Sequence, residues 1–258
     1  MRPDRFYVEL ERQTRLLAGA VHDVDLSRPV PTCPQWTVAD LVDHVGIGHR
    51  WVAVMVERRA SRPISKADAD DRDIPGDPDA RSAWLVAGAR RLAGAVRDAG
   101  PDTTVWTWAP VKTAGFWLRR MLHDELVHRF DVELAAGRLG DVAPDLAADG
   151  VSDLLACIAT LSPPDSRNPT FAGLAGAGET LQLQATDPGL AGAGEWLVER
   201  TPAGVTWRHG QAPADVTVRA PARELLLVLN RRLDPARHGV TVTGDEALFS
   251  HWLEHSRF

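Results

Sequence analysis

The stretch Met121-Leu122-His123-Asp124-Glu125-Leu126-Val127-His128-Arg129-Phe130-Asp131 decides how this chain is read. No proline or glycine interrupts the sequence between Phe116 and Ala136, so the stretch lies inside a helix predicted from about Ala114 to Ala136. Asp124 and His128 are four residues apart. At about 100° per residue their side chains stand one turn apart on nearly the same face. A carboxylate and an imidazole so placed can grip one divalent cation if a third donor arrives from elsewhere in the chain. The plainer reading of this spacing is a helical ion pair worth about 0.2–0.5 kcal/mol. His123 and Glu125 flank Asp124 but point about 100° to either side of it.

Upstream, residues 4–23 carry Phe6, Leu10, Leu16, Leu17 and Val21 at helical spacing. The segment Asp25–Trp36 follows, and its three prolines predict a loop rather than a helix or an inner strand. Thr37 then reads as an N-cap with Asp40 three residues on, a capping box with Asp in place of Glu. The helix it opens is predicted from Val38 to about Arg59, with Leu41, Val45, Trp51, Val52, Met55 and Val56 inward and His44 near that stripe. His49 is about 140° around the helix from His44, so the two do not serve one compact site. Residues 61–78 are polar, acidic and proline-bearing and read as a surface loop. A third helix is predicted over 79–98. Trp106 and Trp108 alternate with threonine and suggest a short extended piece, and a further helix is predicted from Pro144 to Leu161.

The pattern changes at Ser162–Glu179, which is rich in proline and glycine. A boundary is placed there, giving a helical domain over 1–162 and a small α+β domain over 175–258. In the second, alternation predicts strands at 180–186, 196–200, 205–208, 215–219 and 240–243, with helices opened by Pro221 and by Asp245.

Composition narrows the function classes. The chain has 258 residues, 44% hydrophobic and 25% charged, with a net charge of −6. No basic patch offers an electrostatic footprint for nucleic acid or a membrane surface. No run approaches 18 apolar residues, and the charged first segment lacks the apolar core of a signal peptide, so the cytoplasm is the expected location. Cys33 and Cys157 are too few for a disulfide framework and are expected as free thiols.

Thr32-Cys33-Pro34-Gln35-Trp36-Thr37-Val38-Ala39-Asp40-Leu41-Val42-Asp43-His44-Val45-Gly46 resembles the stretch around the first metal ligand in the DinB-like metalloproteins of actinobacteria. The particular likeness is to the mycothiol-dependent maleylpyruvate isomerase family, which has a Cys-Pro-x-Trp-Thr opening, a helix, and a His followed by an apolar residue and Gly. The family's second stretch, His-Glu-x-x-x-His-Arg-x-Asp, is similar to His123–Asp131 here, with Asp124 where the family usually has Glu. The resemblance implies an up-and-down four-helix bundle with an extra helix over residues 1 to about 160. Ala214–Val218 through Arg223–Leu227 to Val242–Asp245 look like the family's small sterol-carrier-like C-terminal domain. It also implies His44, Asp124 and His128 as metal ligands, with Glu125 a possible substitute for Asp124.

Two imidazoles and a carboxylate leave a tetrahedral cation one open position, the mark of a catalytic site, and zinc is the first expectation for such donors. The open position can take a water or a thiol sulfur. The resemblance implies mycothiol as that thiol, and cis-trans isomerisation of, or S-transfer to, a small electrophile as the reaction. His123 is the candidate proton shuttle, and Arg129 with Asp131 reads either as support behind the metal ligands or, the favoured reading, as a structural ion pair. The alternatives are a non-catalytic metal- or ligand-binding protein and a hydrolase using a metal-bound water.

Overall fold

The structure, a computed structural model, describes residues 3–68, 73–164 and 169–257. Residues 69–72 of the acidic loop and 165–168 of the boundary segment lie outside the described residues. The chain divides into two compact units, Met1–Gly140 and Asp141–Phe258.

The first unit is a bundle of α1 (Pro3–Val21), α2 (Val38–Glu57), α3 (Pro78–Ala99) and α4 (Ala114–Ala135). Local chemistry sets their ends. Thr37 Oγ1 accepts from the Asp40 amide at 3.1 Å, while Asp40 Oδ2 accepts from the Thr37 amide at 2.9 Å, completing the capping box. Asp77 caps α3 ahead of Pro78, and Thr113 caps α4. Leu17, Val21, Leu41, Val42, Val45, Leu85 and Val132 fill the space between the helices.

Pairwise contacts give the helix directions. Along α2 and α3, Asp43 meets Arg81, Arg50 meets Trp84 and Glu57 meets Arg91, so these two run parallel. His22 meets Asp79, Glu11 meets Arg90 and Tyr7 meets Arg97, so α1 and α3 run antiparallel. His44 meets His128 and Trp51 meets Trp117, so α2 and α4 are antiparallel as well. The four-helix bundle expected from the sequence is present, with two parallel neighbour pairs: α1 with α4, where Gln13 meets Arg129 and Asp23 meets Arg138, and α2 with α3. Residues 58–77 make the return that the α2–α3 pair needs; twenty residues reach up to about 66 Å, against the roughly 30 Å length of α2.

Two sequence expectations for this unit need correction. The Pro-rich segment contains an antiparallel pair, β1 (Pro29–Val30) and β2 (Cys33–Thr37). Only two strands pair here, so proline's missing N–H has an open edge to face. The extended piece at Trp106–Trp108 is not a strand; a single bridge, Thr104 with Thr113, closes the segment around it. Cys33 and Cys157 are both free thiols, as expected.

The second unit comprises α5 (Pro144–Leu161), a five-stranded sheet and two further helices. Strands β3 (Thr180–Ala185), β4 (Glu195–Thr201), β5 (Gly204–His209), β6 (Val216–Ala220) and β7 (Thr241–Gly244) lie in the order β5-β4-β3-β6-β7. Only β3 and β6 pair in parallel. Leu183 sits between Trp196 and Val218, and all three are buried. Helix α6 (Ala222–Leu229) buries Leu225–Leu229, and α7 (Glu246–His255) opens on the Asp245 cap. The sequence grouped α5 with the bundle, but in the structure it packs against this sheet. Trp196 Nε1 donates to Ser152 Oγ at 2.9 Å, and Ser162 Oγ just past the helix accepts from the Val205 amide at 2.8 Å.

Where α2 and α3 run side by side, glycine sets the distance. A methyl group at Gly46 would run into the Trp84 ring. The buried Arg50 guanidinium lies 4.0 Å from the centroid of that same ring and donates to the Gly46 carbonyl. Gly46→Ala should therefore destabilise the chain by about 1–3 kcal/mol through overpacking. Gly94→Ala, where nothing lies within 4 Å of an added methyl, should stabilise it by about 0.5–1 kcal/mol. Urea denaturation of the two variants checks the contrast.

Candidate metal centre

His44 lies in the second turn of α2, and Asp124 and His128 lie one turn apart in the middle of α4. Antiparallel packing of these helices brings one ligand atom from each residue within 4.8 Å of the others. His128 Nε2 stands 3.6 Å from Asp124 Oδ2, and the His44 and His128 rings meet edge to face at 5.4 Å. Two donors each about 2.1 Å from a tetrahedral cation lie about 3.4 Å apart, so the spacing suits a shared ion.

Neighbouring groups hold each donor in place. His128 Nδ1 is 3.1 Å from Asp131 Oδ2, and Asp131 is fully buried. Thr32 Oγ1, from the turn between β1 and β2, donates to Asp131 Oδ1 at 2.6 Å. With its proton on Nδ1 facing this carboxylate, His128 presents the Nε2 lone pair to the cluster. Arg120 Nη2 donates to Asp124 Oδ1 at 3.0 Å, leaving Oδ2 toward His128. The Trp36 ring stands 4.9 Å from the His44 ring and covers one side of it.

Protonation favours ligation. Burial pushes the His44 imidazole down to about 4, and the charge of His128 adds to the effect. For Asp124 burial acts upward, but the positive charges of His128, Arg120 and His44 outweigh it and hold the carboxyl at about 2. At neutral pH His44 is a neutral nitrogen donor and Asp124 an ionised oxygen donor. First-row divalent cations need both forms, so the residues fit the group that the sequence implies.

The other sequence candidates fall around this cluster. His123 is buried, 2% exposed, on the flank of α4 beside Asp124. Glu125, the possible substitute for Asp124, is turned inward, its Oε2 2.8 Å from His49 Nε2. Asp131, read as half of an ion pair with Arg129, bonds to His128 and Thr32. Arg129 donates to Gln13 Oε1 at 2.8 Å and lies against Glu133. Thr32 escaped the sequence reading because nothing local signals a partner 99 residues away. Trp51, Trp106 and Trp117 pack on one another two turns along the same groove. Two of their indole N–H groups are taken by the carbonyls of Ile64 and Trp106.

The family model described as the mycothiol maleylpyruvate isomerase N-terminal domain matches residues 7–133. The corresponding C-terminal domain model matches residues 145–251. Two crystal structures share the fold, one of a mycothiol-dependent maleylpyruvate isomerase and one of a histidine-to-alanine mutant of it. Their TM-scores are 0.56 and 0.57 at 17% identity, with 94% of this chain and 93% of theirs covered. No curated protein matches the chain.

The depressed His44 value makes a pH prediction. The unfolded imidazole titrates near 6.5 and the folded one near 4, so between those values the unfolded chain binds the extra proton. This contribution to stability is whole above about 6.5 and is lost progressively as pH falls toward 4. In metal-free protein, the His44 ring resonances should hold their neutral-form shifts from pH 7 down to about 5. A midpoint near 6.5 in the NMR titration would contradict this environment.

Proposed function

We infer the function from one premise: the chain belongs to the mycothiol maleylpyruvate isomerase family. On that premise we propose a mycothiol-dependent enzyme that holds a divalent cation on His44, Asp124 and His128. It acts on a small electrophile, by cis-trans isomerisation or by S-transfer. The observation that carries the proposal is the gathering of these three donors, from two helices, with His44 neutral and Asp124 ionised at neutral pH.

When bound, a divalent cation, with zinc the first choice for this donor set, lowers the pKa of a thiol at its open position so that the thiolate predominates at neutral pH. The protein's own groups do the rest. Asp131 fixes the tautomer and tilt of His128, with Thr32 holding Asp131 in turn. Arg120 occupies one Asp124 oxygen and limits that carboxylate to a single free one. Trp36 keeps water from one face of His44. In the isomerase reading, the thiolate adds to one alkene carbon and the resulting single bond rotates. The carbon–sulfur bond then breaks, returning the thiolate and the alkene of opposite geometry. A substrate with a leaving group, or one that keeps the sulfur, gives S-transfer by the same first step.

Purified protein loaded with zinc or cobalt should carry about one equivalent of metal, as a single three-residue site predicts. His44→Ala should lose the metal together with activity. Mycothiol titrated into the cobalt form should shift its visible spectrum. Metal retained by an Asp124→Ala/His128→Ala double variant would remove the proposal, and a cobalt spectrum indifferent to thiol would favour water chemistry instead. Asp131→Asn should leave the chain folded and weaken zinc binding by about 10–100-fold, measured by chelator competition.

A further inference from the structure

Behind the donor cluster lies a second polar pair that the chemistry above does not use. His49 is five residues after His44 on α2, and Glu125 is one residue after Asp124 on α4. Both are fully buried, with His49 Nε2 2.8 Å from Glu125 Oε2. His49 points about 140° away from His44, and Glu125 about 100° away from Asp124. The pair therefore sits on the inner side of the two helices, while the donors sit on their outer groove. The contact is close but off line for a hydrogen bond. Among the described residues, neither His49 Nδ1 nor Glu125 Oε1 finds a partner.

Such a pair is costly in a dry core, where apolar side chains of equal volume would fill the space without desolvation. What it adds is register. Apart from the donors themselves, α2 meets α4 through aromatic and apolar groups: Trp51 lies against Trp117, and the end of the Met121 side chain faces Gly48. Contacts of that kind tolerate sliding. A buried polar pair does not, because a slip of one turn, about 5.4 Å, would leave each member alone among apolar groups. The same slip would carry His44 away from Asp124 and His128, whose ligand atoms now lie within 4.8 Å of its own. Metal–ligand bonds tolerate only about 0.2 Å, so displacements far smaller than a turn are enough to matter.

We propose that His49 and Glu125 are positioning residues, whose buried contact fixes α2 against α4 and thereby sets the distance from His44 to Asp124 and His128. This rests on the reading of those three residues as metal ligands. Cobalt titration with a competing chelator, followed by the visible bands, tests it on the full chain. The His49→Leu/Glu125→Leu variant should fold and melt no lower than wild type, yet bind cobalt about tenfold more weakly, with altered bands. Glu125→Asp keeps the charge but shortens the reach by one methylene. It should move affinity and bands in the same direction by less, and it decides the matter if the double variant does not fold. Wild-type affinity and unchanged bands in either folded variant would overturn the positioning role while leaving the metal centre intact. A wild-type chain that takes up no cobalt would sink both.

Discussion

Antiparallel packing of α2 against α4 at one register is the constraint on which the rest of the first unit depends. His44 comes from one helix, and Asp124 and His128 come from the other. Neither helix alone offers more than two of the three donors. Helix surfaces rich in alanine, valine and leucine pack adequately at several offsets, since the ridges that interlock repeat every turn. Groups that cannot tolerate an offset select one. Gly46 under the Trp84 ring sets the approach of α3 to α2, and the buried Arg50 fills the space between them. His49 against Glu125 does the same between α2 and α4.

The donor cluster is expensive by itself. Two imidazoles and a carboxylate share a half-buried groove, and withdrawing them from water weakens the charged form of each. The protein meets this unevenly. His44 stays neutral down to about pH 4, whereas Asp124 stays ionised down to about pH 2, where the protonated His128 and His44 and the Arg120 guanidinium outweigh its burial. Burial works against the charged form of both groups, and nearby positive charge reverses that effect at Asp124 alone. The Thr32–Asp131–His128 chain extends the arrangement to the β1–β2 pair. A pair of strands too short to stabilise a fold thus has a definite task in holding one carboxylate.

The second unit follows different rules. Its sheet buries Leu181, Leu183, Trp196, Val198, Val216 and Val218, and the one buried amide side chain among them, Gln182, is fully engaged. Its nitrogen lies within hydrogen-bond distance of the carbonyls of Leu183, Trp196 and Gly210, and its oxygen accepts from the Ala212 amide. A buried polar group satisfied on all sides costs little and holds the strands at one alignment. Helix α5 belongs here because its polar ties, Ser152 to Trp196, lead to the sheet.

What the sequence determined by itself is local. Thr37 with Asp40, Pro144 and Asp245 mark helix starts within a residue or two of where they occur. The four-residue step from Asp124 to His128 put two donors on one face because helix geometry is set by bonds that span a single turn. The family likeness supplied His44, which spacing could not. Only the tertiary structure decided the parallel course of α2 and α3, the allegiance of α5, the inward turn of Glu125 to His49, and the bond from Thr32 to Asp131. Each of these joins groups tens of residues apart. Their meeting depends on which faces pack and at what offset, and no pattern inside a window of one or two turns encodes that.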